Sequence, residues 1–130
     1  MILLSKKYID IQNEVIKDCK VKINTNSKCH SRTHAHIKTK TICKWKQQNS
    51  IQSTFTLFHE IGHIRTYHSS MRRCESEYYA TIWAIEKFKE YDLIVPESIL
   101  DKYQRYIYME LDRGLRRHGK NYPSREDLRL

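Results

Sequence analysis

In the stretch Phe58-His59-Glu60-Ile61-Gly62-His63, two histidines stand four residues apart and a glutamate directly follows the first. No other feature limits the fold of this chain as tightly. At roughly 100° per residue on an α-helix, positions four apart differ by only about 40°. His59 and His63 on a helix therefore project from one stripe, about a turn apart, close enough to hold one metal ion. Glu60 leaves the helix at an adjacent angle, within reach of a water on that ion. In this H-E-x-x-H pattern the imidazoles ligate Zn²⁺ and the carboxylate serves as general base. With seven histidines in the chain, a chance match has a probability of roughly a few per cent. The surroundings must therefore carry the argument.

Those surroundings are helical. Residues Ser53 to Ile64 follow a helical pattern, with Ser50 or Ser53 as N-cap and an end near His68-Ser69-Ser70. Gly62 inside such a helix costs about 1 kcal/mol relative to Ala, which makes sense where another backbone must approach the metal stripe closely. A second helix is expected from about Cys74 to Tyr91. Glu77, Thr81, Ala84, Phe88 and Tyr91 recur on one of its faces. A carboxylate at the start of an otherwise apolar face needs a partner, and a zinc ion on the preceding helix supplies one. The short loop between the helices favours antiparallel or steeply crossed neighbours. Glu77 is thus the expected third ligand of a His₂Glu site with one open position. Glu75 competes for that role but fits the shared face less well. Thr81, one turn beyond Glu77, is placed to hydrogen-bond a ligating imidazole.

The rest of the chain reads as one domain over residues 1–130. Its 39% hydrophobic and 30% charged residues suit a folded chain. Three Gly and two Pro argue against a turn-rich all-β fold. Tyr8, Ile11, Val15 and Cys19 mark an amphipathic helix over 6–20. Alternation then predicts a small antiparallel sheet over 21–46, with a turn at Asn24 to Ser27. Between Thr33 and Trp45 the residues Ile37, Thr39, Thr41, Cys43 and Trp45 form one face, and Lys38, Lys40 and Lys44 the wet one. The metal-site helices occupy 50–91. A last helix spans 96–118, with Pro96 in its first turn and basic residues before Gly119. Its Tyr-rich face reads as core packing or as a surface for a partner, and Tyr122 to Leu130 as a loosely packed tail. The fold class is α+β, three or four helices with a small antiparallel sheet.

No apolar run reaches membrane-spanning length, so no membrane is expected as a partner. Met1-Ile2-Leu3-Leu4 meets Ser5-Lys6-Lys7 too soon for the apolar region of a signal peptide, which predicts a cytoplasmic protein. The net charge of +9 is densest at Lys38 to Lys46 and at Arg113 to Lys120. Solvated basic faces are the simpler reading, and nucleic acid the next. Cys19, Cys29, Cys43 and Cys74 lack C-x-x-C spacing and read as reduced thiols. A rival metal site could be built from Cys29, His30, His34, His36 and Cys43, since His34 and His36 share a strand face. The cluster lacks the tight ligand pairs of structural zinc sites, so scattered surface histidines are the better expectation.

Thr56-Leu57-Phe58-His59-Glu60-Ile61-Gly62-His63 resembles the T-L-x-H-E-[LI]-G-H motif of the ImmA/IrrE-type metallopeptidases, found in bacteria and often encoded on phages and mobile elements. Glu77-Tyr78-Tyr79-Ala80-Thr81-Ile82-Trp83-Ala84 is similar to that family's E-x-E-A-[ND]-x-F-A, although Tyr79 and Thr81 depart from it. His68 resembles a histidine that often follows the first motif, and Leu93-Ile94-Val95-Pro96 looks like the family's L-L-M-P. The resemblance is specific over Ser53 to Ala84, about a quarter of the chain. It implies a zincin-like fold and zinc-dependent cleavage of DNA-binding repressor proteins, with His59, His63 and Glu77 as ligands and Glu60 as base. The oxyanion needs a second donor, for which Tyr78, Tyr67 and His68 are candidates that the sequence leaves open. The alternative is a non-catalytic DNA- or protein-binding regulator with a structural zinc site.

Overall fold

A computed structural model describes residues 7–25, 32–119 and 121–130. In chain order the elements are α1 (Tyr8–Cys19), β1 (Lys22–Asn24), β2 (His34–His36), β3 (Thr41–Cys43), α2 (Ile51–Thr66), α3 (Arg73–Glu90) and α4 (Glu97–His118). The chain is α+β, with four helices among the described residues and one small sheet. No described helix is long and apolar enough to cross a membrane.

The helix at the centre is α2. Its start is fixed by Ser50, whose Oγ accepts from the Ser53 N–H at 3.1 Å, and Ser53 in turn donates to the Lys46 carbonyl. Phe55, Leu57, Phe58 and Ile61 are all fully buried, so apolar residues point from α2 in several directions and neighbours cover it on more than one side. On one side lies α3, which contributes Ala80, Ala84 and Phe88. The Phe88 ring meets Phe55 and Phe58 edge-on, at centroid distances of 5.3 and 5.5 Å. Gly62 makes the crossing close: a Cβ there would stand 2.5 Å from the Ala80 carbonyl oxygen. The expectation that a small residue here admits another backbone is met. On another side α1 packs Ile11 and Val15 into the same core. Its buried Gln12 donates to the Gln48 carbonyl and to Thr54 Oγ1.

The sheet has the order β1-β3-β2 and is mixed rather than antiparallel, a correction to the sequence reading. β2 and β3 are joined by the tight turn 37–40 and pair antiparallel. The other edge of β3 is taken by β1, which runs parallel to it with Ile23 opposite Ile42. The expected alternation of faces also breaks at this turn, where Lys40 adopts φ 53°. Beyond it, Ile42 and its partner Ala35 face the core, while Cys43 lies opposite His34 on the other face. Trp45 is buried and donates its indole N–H to the Ser53 carbonyl. The turn expected at Asn24 to Ser27 falls partly outside the described residues.

Ile99 on α4 joins the core around α2. Further along, α4 packs on α3 through a second cluster of Cys74, Ile107 and Leu111, and its C-cap Gly119 has φ 66°. Leu128, only 2% exposed, completes that cluster. Gln104 donates to the Leu128 carbonyl and accepts from the Leu130 N–H. The residues after Tyr122 are therefore docked on α4, not the loose tail expected. Their apolar residues are too sparse to show a period, but one leucine suffices to anchor them.

Candidate metal centre

Three ligand atoms converge between α2 and α3. His59 Nε2 and His63 Nε2 lie 3.1 and 3.2 Å from the same Glu77 oxygen, Oε1. His59 and Glu77 are buried, and His63 is partly so. The other nitrogen of each ring is tied to α3. Thr81 donates its hydroxyl proton to the Glu77 carbonyl at 2.7 Å, so its oxygen is left to accept from His59 Nδ1–H at 3.1 Å. His63 Nδ1 meets Ser76 Oγ at 3.1 Å. With both Nδ1 atoms held by hydroxyls, both Nε2 atoms are presented to the interior, the arrangement that orients metal-ligating imidazoles. The expected His₂Glu set and the expected role of Thr81 are brought together. Glu75 is engaged elsewhere: its carboxylate accepts from the Arg72 backbone N–H and guanidinium at the start of α3.

The electrostatics couple the three groups around a charged carboxylate. Burial lowers the pKa of His59, and the neighbouring Glu77 offsets this only in part. Its single proton is accounted for by the Nδ1–Thr81 bond, so its Nε2 lone pair faces a carboxylate oxygen. Burial acts on His63 in the same sense, but contact with Glu77, reinforced by the charges of Glu77 and Glu60, raises its pKa overall. For Glu77, burial favours the neutral acid, yet its contacts with His59 and His63 outweigh it and hold the carboxyl well below the usual range. The two Nε2 atoms and the carboxylate thus share the His63 proton, with the Arg73 guanidinium near the second Glu77 oxygen. A divalent cation at the convergence point satisfies all three.

Glu60 is partly buried beside this set. Burial, helped by the Glu77 charge and opposed by His63, pushes its carboxyl up to about 7. That value suits a group that must take and return a proton near neutrality.

The centre opens into a cleft of about 1020 Å³. One wall is β2 and its flanks; the other is α4, with Tyr103, Tyr106 and Met109. Tyr103 lies against His59, ring centroids 4.7 Å apart, and burial pushes its phenol up to about 12. Arg73 reaches in from α3, 3.4 Å from buried Glu110 and 3.9 Å from the second oxygen of Glu77. Of the three expected oxyanion donors, Tyr67 alone lines the cleft. Tyr78 is turned away and packs on the Cys74–Ile107–Leu111 cluster. His68 is exposed and paired with Ser70 at 2.8 Å. Sequence reasoning missed the roles of Ser76, Arg73 and Tyr103. The first two directly precede features it did use, whereas Tyr103 comes from a helix whose placement is set by long-range packing.

The rival cluster is also partly assembled. Cys29 and His30 lie outside the described residues, but His34, His36 and Cys43 offer three ligand atoms within 4.8 Å of one another. His34 and His36 are not the scattered histidines expected. The dense basic stretches, by contrast, remain solvent-facing: Lys38, Lys40, Lys44, Lys46, Arg116 and Arg117 are exposed. Compared with family models, curated proteins and solved structures, the chain matches none of them.

Proposed function

We propose that this chain is a zinc-dependent endopeptidase. The observation that carries the reading is the convergence of His59 Nε2, His63 Nε2 and Glu77 Oε1 at the floor of a cleft where Glu60 stands beside them. The residues fit the ion. Two imidazoles and a carboxylate, with a side left open to the cleft, are the ligand set of catalytic rather than structural zinc, and both rings are oriented from behind.

Bound there, Zn²⁺ would supply Lewis acidity, lowering the pKa of a water and polarising the scissile carbonyl. Glu60 takes the proton of the attacking water and returns it to the leaving amine nitrogen. Tyr103, Thr81 and Ser76 hold the two imidazoles in orientation. Tyr67 is the donor best placed among the original candidates to meet the developing oxyanion. β2 is an edge strand that lines the cleft, which suits an extended peptide bound by strand addition. The resemblance of residues 53–84 to ImmA/IrrE-type metallopeptidases supports a DNA-binding repressor of a mobile element as the substrate, and a cytoplasmic setting goes with it.

The test separates chemistry from metal binding. Zinc-loaded wild type and the Glu60→Gln variant are incubated with a proteome-derived peptide library and with any repressor encoded beside the gene, and new N-termini are mapped. Glu60→Gln keeps the shape of the side chain, so zinc content and thermal midpoint should stay at wild-type values. Cleavage should fall by at least ~10²-fold, the lower end for loss of a general base. Equal cleavage by both proteins, or none by the wild type, would sink the endopeptidase reading.

A further inference from the structure

His34, His36 and Cys43 form a second convergence of metal-ligating groups, on different elements from the first. The antiparallel register sets His34 directly opposite Cys43 on one face of the sheet. His36, two residues along β2, shares that face. The two rings meet edge to face, with Nε2 atoms 3.0 Å apart. His34 Nδ1 lies 3.0 Å from the Arg32 carbonyl, which can only accept, so Nδ1 carries the proton and Nε2 presents its lone pair. A hydrogen bond from His36 would account for that pair of atoms alone. It does not involve the third corner, the Cys43 thiol, which is only 1% exposed. Tetrahedral zinc with imidazole and thiolate ligands holds its donor atoms about 3.3–3.6 Å apart. The imidazole pair here stands 3.0 Å apart, and each residue has a ligand atom within 4.8 Å of the other two, close enough for small side-chain shifts to reach that spacing.

We propose that His34, His36 and Cys43 form a second, thiolate-containing zinc site that clasps β2 to β3. As the metal–sulfur bond forms, the Cys43 proton passes to solvent, so the site is filled by the thiolate and two neutral imidazoles. The ligand set favours zinc, or cobalt in its place, over the hard cations magnesium and calcium. The clasp has a mechanical purpose. Each strand is only three residues long, so few ladder hydrogen bonds hold β2 to β3. β2 is also the edge strand that walls the cleft. A bond from β2 to the more deeply paired β3 would hold that wall in place. None of this depends on the endopeptidase chemistry.

Cobalt distinguishes the two sites, because only this one contains sulfur. Metal-free, reduced protein is titrated with Co²⁺ and followed in the near-ultraviolet, where thiolate-to-cobalt charge transfer absorbs. Wild type should bind two ions per chain and develop the charge-transfer band. Glu77→Ala should keep the band, and Cys43→Ser should lose it while retaining one ion. His34→Ala and His36→Ala, which leave the buried thiol in place, should weaken the cobalt affinity read from that band by at least about tenfold. Circular dichroism checks that each variant is folded, and the two histidine variants decide the matter should Cys43→Ser not fold. Absence of the band from folded wild type would overturn the proposal. So would a band that survives Cys43→Ser, or one that titrates unchanged in both histidine variants. An inactive Glu60 centre would leave the band untouched, so the two readings fail separately.

Discussion

Replacing Gly62 by Ala sets two opposed effects against each other, and their magnitudes decide the outcome. In a helix interior, Ala is favoured over Gly by about 1 kcal/mol, so propensity alone predicts a more stable protein. The structure predicts the reverse. The added Cβ would lie 2.5 Å from the Ala80 carbonyl oxygen and 3.0 Å from the Ala80 Cα. Both are backbone atoms of α3, so no side chain can rotate away. To reach about 3.0–3.4 Å from that oxygen, the helices must separate by about 0.5–0.9 Å, and overpacking of this kind costs typically 1–3 kcal/mol. Because α3 carries no glycine at the contact to relax, we take the upper half, about 2–3 kcal/mol. Subtracting the propensity gain leaves a net loss of about 1–2 kcal/mol. For a chain of this length that lowers the thermal midpoint by about 3–10 °C. The same separation pulls Glu77 away from His59 and His63, so zinc affinity should drop as well. Thermal melts of metal-free protein give the first number, and competition with a chromophoric chelator gives the second. A Gly62→Ala variant that melts higher than wild type and binds zinc equally well would refute the close-contact argument.

Further outcomes follow from the same geometry. Purified protein should carry zinc at the centre; Glu77→Ala should strip most of it, whereas Glu75→Ala should leave it bound, as elemental analysis will show on chains that also carry Cys43→Ser. Thr81→Val removes the acceptor for His59 Nδ1–H at nearly constant volume, and should weaken zinc binding at the centre by about 10–100-fold with the fold retained. Leu128→Ala empties a buried position between α4 and the C-terminal residues and should cost about 2–4 kcal/mol in urea unfolding; a cost below about 0.5 kcal/mol would mean the segment is not docked.

The centre was legible in the sequence because its geometry is mostly local. His59 and His63 are one helical turn apart, and Glu77 and Thr81 another, so helical periodicity alone aligned all four. What remained was one crossing between neighbouring helices, and Gly62 marked it. Tyr78 shows where this reasoning stops. One position past Glu77 is about 100° further round α3, which turns its ring onto the α4 side rather than into the cleft. Tyr103 could not be foreseen, because it stands far along the chain from His59 and only the packing of α4 brings the two rings together. The sheet is less legible for a related reason. Three-residue strands are too short for alternation to fix a face, and the parallel pairing of β1 with β3 is a non-local choice. A tight pair such as His34 and His36 therefore reads as surface residues, although the register sets His34 opposite a buried thiol.

Ser76, Glu77 and Thr81 all ride on α3, so a single rigid body supplies one ligand and orients the other two. The centre then has few independent degrees of freedom: once α3 has docked on α2, both imidazole orientations and the carboxylate position are set together. Ordering of the ligands is accomplished by folding, before any ion arrives, and is not charged against the ion's affinity. Changes at these three positions should consequently interact rather than add, with coupling that a Ser76–Thr81 double-mutant cycle would expose. A centre assembled this way has little room to be half-formed.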